Sequence, residues 1–406
     1  MNRPLDGIRM LELAAFHNGP GAGYMLGDLG AEVIKIEDTV RGDTSRGTET
    51  LWGNTLSLPG GLNTQFETGN RNKKSITLDL KKEQGKEVLY RLVKESDVFY
   101  TNYSNRVLTK LGVDYDTLCR YNPRLVYGIA TGYGTAGPEA GRRAFDIIAQ
   151  AQSGMMTIGG EDGTPPSQIV GGIVDQTGAT MLAYGILAAL LCRERTGIGQ
   201  VVETSLLGTA MHMQAINVNI CLLRGRPFSR VNRKRLRNPL ANHYKCGDGK
   251  WLLLGELESD RFWSSLCDAI GIKDLENDPK FKTNQARREN FEELISILDK
   301  IFATKTREEW IQLLKEKGSG IAFSPVYDLS EAVRSPQVLE NDYVIPFDHP
   351  VLGPIKLVGF PVKFGKTPAS ITRKPPEFGE HTEEILLEVG GYTWEEITEL
   401  RSQGVI

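Results

Sequence analysis

Asp175 is a charge in apolar company. It follows Val170-Gly171-Gly172-Ile173-Val174 and precedes a segment rich in alanine and leucine that runs to Leu191. Two chemistries suit an acid in that place. A helix is predicted over residues 177–195, ending in Arg195 and the turn Thr196-Gly197-Ile198-Gly199. An aspartate at its start makes a good N-cap and suits the helix dipole. A carboxylate in neutral, poorly solvated surroundings is also a competent nucleophile for covalent catalysis. Spacing alone leaves both readings open. A strand is predicted next, at residues 201–206.

Other residues could do chemistry. His17-Asn18-Gly19-Pro20-Gly21-Ala22-Gly23 follows a predicted strand and opens a predicted helix. Glycines there let the backbone approach a ligand, and free amides at a helix start attract phosphate. With Glu37 ending the next strand, the unit mimics a dinucleotide site. The spacing is G-x-G-x-G, however, and Pro20 removes a donor, so the case for NAD is weak. Asn70-Arg71-Asn72-Lys73-Lys74 is a basic cluster before a predicted strand at 75–80, readable as a solvated turn or an anion site. His381 is read as structural, at the start of a helix. His212, on an apolar segment, is read as a core or interface residue. The histidines show no His-x-x-x-His spacing, and the five cysteines form no Cys-x-x-Cys pair, so no metal site is expected.

Several of these segments resemble one family. Asp175-x-x-Gly178, then Gly185-Ile186-Leu187-Ala188-Ala189-Leu190, then Arg193-Glu194-Arg195-Thr196-Gly197 and a strand ending Ser205-Leu206 look like the signature of the class III CoA-transferases. The likeness begins at Pro4-Leu5-Asp6-Gly7. It continues through Gly30-Ala31-Glu32-Val33-Ile34-Lys35-Ile36-Glu37 and Asn70–Ser75, and closes with Gly379-Glu380-His381-Thr382. The family shares its fold with the α-methylacyl-CoA racemases. The resemblance implies an α/β fold with a large Rossmann-like parallel-sheet domain and a smaller α/β domain, assembled as an interlocked dimer. It implies transfer of coenzyme A from an acyl-CoA donor to a free carboxylic acid, with Asp175 forming an aspartyl-CoA thioester. No prosthetic group is expected, because the CoA thioester is itself a substrate.

The same resemblance assigns further residues. Phe16, His17 and Asn18 lie near coenzyme A and the reacting acyl group, and Asn102 and Lys110 contact coenzyme A. Arg106 and the cluster Arg71, Lys73 and Lys74 would meet its phosphates. Lys110 replaces a more usual arginine and loses the planar fork. Asp38 stands where a basic residue contacts the nucleotide in the formyl-CoA branch, so Arg41 is a candidate substitute. Asn242-His243-Tyr244-Lys245 replaces a run of four glycines that would form a lid. Phe145 takes the place of the racemase histidine and cannot carry a proton. It is expected to wall the acyl pocket, with Asp146 as a helix cap. The alternatives are a racemase of the same fold, or a non-catalytic CoA-binding subunit of a heteromeric transferase. The chain looks nearer the benzylsuccinate, phenyllactate and bile-acid branch, which points to a medium-sized, aromatic-tolerant acid.

These residues need elements to hold them. Strands predicted at 8–13 and 32–37, with a helix at 21–29 between, make a βαβ opening and hence a parallel sheet. Helix 81–94, strands 97–101 and 125–130 and helix 145–155 follow. The organisation expected is a large domain from 1–223, a basic linker at 224–242 and a small α/β domain at 243–326. Residues 327–406 return through a proline-rich extended stretch to two closing helices. At 406 residues and 40% hydrophobic content the chain has material for two cores. A net charge of −3 gives no footprint for nucleic acid. The scattered thiols and the lack of a signal-peptide pattern suit the cytoplasm. The apolar stretch 179–192 looks too short to span a bilayer, so no membrane partner is expected.

Overall fold

The computed structural model describes residues 3–406. Contacts divide the chain into two units. The first holds the residues through Thr157, Ser167–Pro227 and Asn341–Ile406; the second holds Ile158–Pro166 and Phe228–Glu340. The second unit is therefore wider than 243–326 and includes a short piece from far upstream.

The first unit contains β1 (Arg9–Leu13), α1 (Asn18–Asp28), β2 (Glu32–Glu37), β3 (Lys73–Thr77), α2 (Glu83–Lys94), β4 (Val98–Thr101), α3 (Asn105–Leu111) and β5 (Val126–Thr131). It continues with α4 (Asp146–Gln152), α5 (Ile173–Thr196), β6 (Val201–Ser205), α6 (Leu206–Met213) and α7 (Ala215–Arg224). Six strands pair in parallel in the order β3-β2-β1-β4-β5-β6. This is the doubly wound arrangement, and the strand order reverses between β1 and β4. Apolar side chains of β1, β2, β4 and β5 enter separate cores on the two faces of the sheet, one containing Leu11, Ile34, Phe99 and Tyr127, the other Met10, Val33, Tyr100 and Val126.

Three local expectations change. The strand after the basic cluster begins at Lys73, because Lys73 pairs in register with Val33 of β2. Two of the cluster's cations therefore lie inside the sheet. Helix α5 has 24 residues and opens at Ile173. By length and composition it is apolar enough to cross a membrane, which corrects the length argument made from 179–192. Its Val174, Ala179, Leu182, Ile186 and Leu190 are nonetheless buried, and its buried Arg193 pairs with Asp97 at 2.9 Å, as in the core helix of a globular domain.

The second unit has β7 (Ala241–Lys245), β8 (Trp251–Gly255), α8 (Ser259–Ile270), α9 (Phe291–Phe302), α10 (Arg307–Lys317) and β9 (Phe323–Val326). Its antiparallel sheet has β8 between β7 and β9, over a core that includes Tyr244, Trp263, Phe302 and Trp310. The residues in place of the glycine run thus form β7, with Asn242 and Tyr244 buried. A hydrogen-bonded strand with a buried face cannot act as a mobile lid. The chain then returns to the first unit through an antiparallel hairpin, β10 (Val344–His349) and β11 (Gly353–Val358), where an extended stretch was expected. It ends in α11 (Thr382–Glu388) and α12 (Trp394–Ser402).

Candidate active site

The reversal of strand order opens a crevice at the carboxyl ends of β1 and β4. Residues 14–18 leave β1 there and Asn102 leaves β4. The Asn102 amide binds the Ala15 backbone both ways, accepting from its N–H at 3.1 Å and donating to its carbonyl at 2.7 Å. This holds the two strand ends together, so Asn102 is committed to the loop. Phe16 sits at φ 65°, in the left-handed region that a bulky side chain rarely occupies. Its N–H donates to Asp43 at 3.2 Å.

Helix α5 brings Asp175 to this crevice by packing on α1. The approach is close because Gly21 faces Ala179: a Cβ on Gly21 would lie 2.7 Å from the Ala179 methyl. A Cβ on Gly178 would lie 2.4 Å from Nδ2 of Asn18. The glycines of α1 therefore serve helix packing, where the sequence suggested close approach to a ligand. His17 Nε2 donates to Gln176 Oε1 at 2.7 Å, and Gln176 Nε2 donates to the Tyr24 hydroxyl at 2.9 Å. Burial lowers the His17 pKa, which keeps its imidazole neutral. Asn18 is buried, and its Oδ1 has no partner among the described residues.

Asp175 is not the N-cap of α5. The cap is Gly172, at φ 72°, and it has no side chain to offer. The capping acid is Asp146, the first residue of α4, whose Oδ2 accepts the N–H of Val174 at 2.6 Å and of Asp175 at 3.0 Å. Gln150 locks this arrangement. It donates to Asp146 Oδ1 and to the Ile169 carbonyl, and it accepts the Ile169 N–H at 2.9 Å. The Asp175 carboxylate accepts no hydrogen bond from any described residue, and the side chain is half-buried. Burial, with the Asp146 charge added to it, raises its pKa to about 7. A carboxylate that is neither paired nor bridged, and that ionises near neutrality, is what a nucleophile requires. Two of the first-turn amides of α5 are occupied by Asp146 and are therefore not free to stabilise a developing oxyanion.

Phe145 precedes Asp146 and stands edge-on to Phe16, with ring centroids 6.4 Å apart. Both rings are partly exposed, and the Arg143 guanidinium lies 5.4 Å from the Phe145 centroid. The sequence thus named Phe16, His17, Asn18, Asn102, Phe145 and Asp175, and the fold brings them to one place. It named Asp146 only as a cap, and that cap closes a different helix from the one expected.

The basic cluster does not join them. Arg71 is buried, with Asp28 at 2.6 Å and the Val358 carbonyl at 2.9 Å. Lys73 is fully buried against Glu12 at 2.8 Å. Lys74 pairs with Glu32 at 2.8 Å and Glu384 at 2.7 Å. Arg71 and Lys73, neutralised inside the fold, cannot present charge to external phosphates, and the partly buried Lys74 is already paired with two acids. Arg41, Arg106 and Lys110 are exposed, while Asp38 accepts the N–H groups of Val40 and Arg41 and pairs with Lys81. His381 accepts the Ser75 N–H at 3.2 Å and contacts Arg373 at 2.8 Å, a structural role. His212 is exposed on α6.

Comparison with known proteins gives the chain a family. The model of CoA-transferase family III matches residues 5–382. An acyl-CoA transferase of Fusarium pseudograminearum is 35% identical over 99% of this chain and 88% of its own length. The mouse succinyl-CoA:glutarate CoA-transferase is also 35% identical, over 100% of this chain and 90% of its own. A CAIB/BAIF family protein from Brucella suis has a solved structure that covers 96% of this chain and 100% of its own, with a TM-score of 0.84 at 29% identity.

Proposed function

Because the chain belongs to CoA-transferase family III, we propose that it moves coenzyme A from an acyl-CoA to a free carboxylic acid with Asp175 as the covalent relay. The observation that carries this reading is the unpaired Asp175 carboxylate with its pKa near 7, one residue from Gln176 and beside the loop of residues 14–18. An Asp175 oxygen attacks the donor thioester carbon. The C–S bond breaks, leaving a mixed anhydride and CoA thiolate. The thiolate attacks the aspartyl carbonyl and the donor acid departs with the attacking oxygen. The acceptor acid then attacks the aspartyl-CoA thioester and the steps run in reverse, restoring Asp175. The relay conserves the thioester bond that hydrolysis would lose.

The Phe16 and Phe145 rings supply an apolar wall beside the nucleophile, which suits a medium-sized acyl group, aromatic ones included. Phe145 also separates this reading from the racemase, since a phenyl ring cannot exchange an α-proton. The test has two arms read by mass spectrometry: free acids with succinyl-CoA or acetyl-CoA, and a 2-methylacyl-CoA with the enzyme in D2O. New acyl-CoA is expected from the first arm and no deuterium at the α-carbon from the second. Exchange at the rate of turnover would establish the racemase instead.

A dimer completes the proposal. In the single chain Tyr184 of α5 and Ile216, Leu222 and Leu223 of α7 stand open to water, Leu223 at 86% of its surface. An apolar face of that kind is covered in an assembly. Sedimentation at nanomolar concentration is expected to show twice the chain mass of 44.9 kDa; a monomer refutes it.

A further inference from the structure

Beneath the crevice, the strands carry charges where a doubly covered parallel sheet ordinarily carries valine or isoleucine. Glu12 of β1, Lys35 of β2 and Lys73 of β3 have side chains wholly out of solvent. The Lys35 ammonium reaches Glu12 Oε1 at 2.8 Å, Asp43 Oδ2 at 2.7 Å and the Ala14 carbonyl at 2.8 Å. The Lys73 ammonium reaches Glu12 Oε2, Asn70 Oδ1 and the Pro20 carbonyl, each at 2.8 Å. All three donors of each ammonium are in use. Tyr100 of β4 also donates to Glu12 Oε2.

The pattern has a direction. One lysine holds the Ala14 carbonyl at the start of the β1–α1 loop and the other the Pro20 carbonyl in the first turn of α1. Between them Asn102 holds Ala15, and Asp43 Oδ1 accepts the Phe16 N–H. Residue 16 is the strained one, and a backbone in that region persists only when its surroundings over-determine it, at about 1–3 kcal/mol. Helix α1 sits directly on the network. A Cβ on Gly23 would lie 2.1 Å from the Tyr100 hydroxyl and 2.9 Å from Lys73 Cε. Stability alone does not account for such groups, because well-packed apolar residues in place of a buried ion network are often as stabilising or more so.

We infer that Lys73 is a positioning residue for the reaction: through the Pro20 carbonyl and the shared Glu12, its ammonium sets the backbone of residues 14–20 against Asp175. This rests on the reading that those residues line the transferase site. The groups that face Lys73 are Glu12 and, further off, Lys35, Asp43 and His17, with Tyr100 on the shared Glu12. Burial outweighs the pull of Glu12 and pushes the Lys73 pKa down to about 8. Lys35 goes the other way: against burial, Asp43 and Glu12 hold it charged. Above pH 8 Lys73 loses its proton, and with it one of the three donors that hold Glu12, Asn70 and Pro20.

The wild-type enzyme is therefore expected to lose kcat/KM on an alkaline limb near pH 8, and Lys73→Arg, which keeps its charge, to lack that limb. The pair Lys73→Met with Glu12→Gln removes one charge of each sign and leaves Lys35 paired with Asp43. It is expected to melt near the wild-type temperature yet lose about 10–100-fold in kcat/KM, the scale of a 1 Å misplacement. An alkaline limb unchanged in Lys73→Arg, or wild-type kcat/KM in the double variant, overturns the inference. Should the variants not fold, hydrogen exchange of the wild type decides it without any assay of turnover. After correction for the intrinsic rise in exchange with pH, amides of residues 14–19 are expected to lose protection above pH 8 while those of β5 do not. Equal behaviour of the two segments overturns it. That readout stands apart from the transferase reading, which fails separately if Asp175 proves dispensable.

Discussion

Asp175→Asn is expected to lower kcat by several orders of magnitude while leaving acyl-CoA binding nearly intact. An amide is a poor nucleophile, and no second carboxylate can take its place: Asp146 is buried and holds the amides of Val174 and Asp175. Enzyme carrying 18O in the Asp175 carboxylate should pass one label to the first acid released, because the attacking oxygen leaves with it. Hydroxylamine should trap the aspartyl-CoA thioester when acyl-CoA is added without acceptor. Asp175→Glu should also be poor, since one methylene displaces the attacking oxygen by about 1 Å, enough for roughly a hundredfold. Substantial activity in Asp175→Asn, or no label and no adduct, would remove Asp175 from the chemistry. Stability gives a second readout. The folded pKa near 7 lies above the ordinary 3.8. Ionised Asp175 therefore destabilises the fold, not at all below pH 3.8, increasingly up to pH 7 and fully above it. Asp175→Asn is expected to melt higher than wild type at pH 8 and level with it in acid.

Asp146→Asn and Asp146→Ala are expected to separate two roles of one side chain. In the wild type, kcat/KM should rise through an acid limb near pH 7 as Asp175 ionises. Asp146→Asn removes the neighbouring charge but keeps an acceptor for the Val174 and Asp175 amides. The limb should move to lower pH without reaching the ordinary carboxylate value, because burial is the larger cause of the shift. Asp146→Ala removes the acceptor too. The start of α5 then loses its cap, about 1 kcal/mol, and the Asp175 backbone is released. A loss in kcat of about 10–100-fold should follow. A limb and a kcat unmoved in both variants would reduce Asp146 to packing.

What the sequence settles here is local or recurrent. The order of elements follows from short-range periodicity. Residues 32–37 form β2 with the bounds read from the chain. Asp175, Phe145 and the loop from Phe16 to Asn18 are legible because they stand in motifs, and a motif is a local string. The hairpin at residues 344–358 was hidden by its prolines and by pairing between separate segments.

Tertiary structure decides what each charge is for. The basic cluster 71–74 reads as a surface patch in one dimension, yet Arg71 and Lys73 are buried against Asp28 and Glu12, acids 43 and 61 positions upstream. The alternation of Glu32–Glu37 suggests a wet face, but this sheet is covered on both sides, so its polar face holds an internal ion network. Asp175 looks like a cap until α4 is seen to supply one from 29 residues away. The physical reason is common to all three. Backbone preference and periodicity are set by neighbours in sequence, whereas the solvation and partners of a charge are set by whichever groups folding brings within about 3 Å.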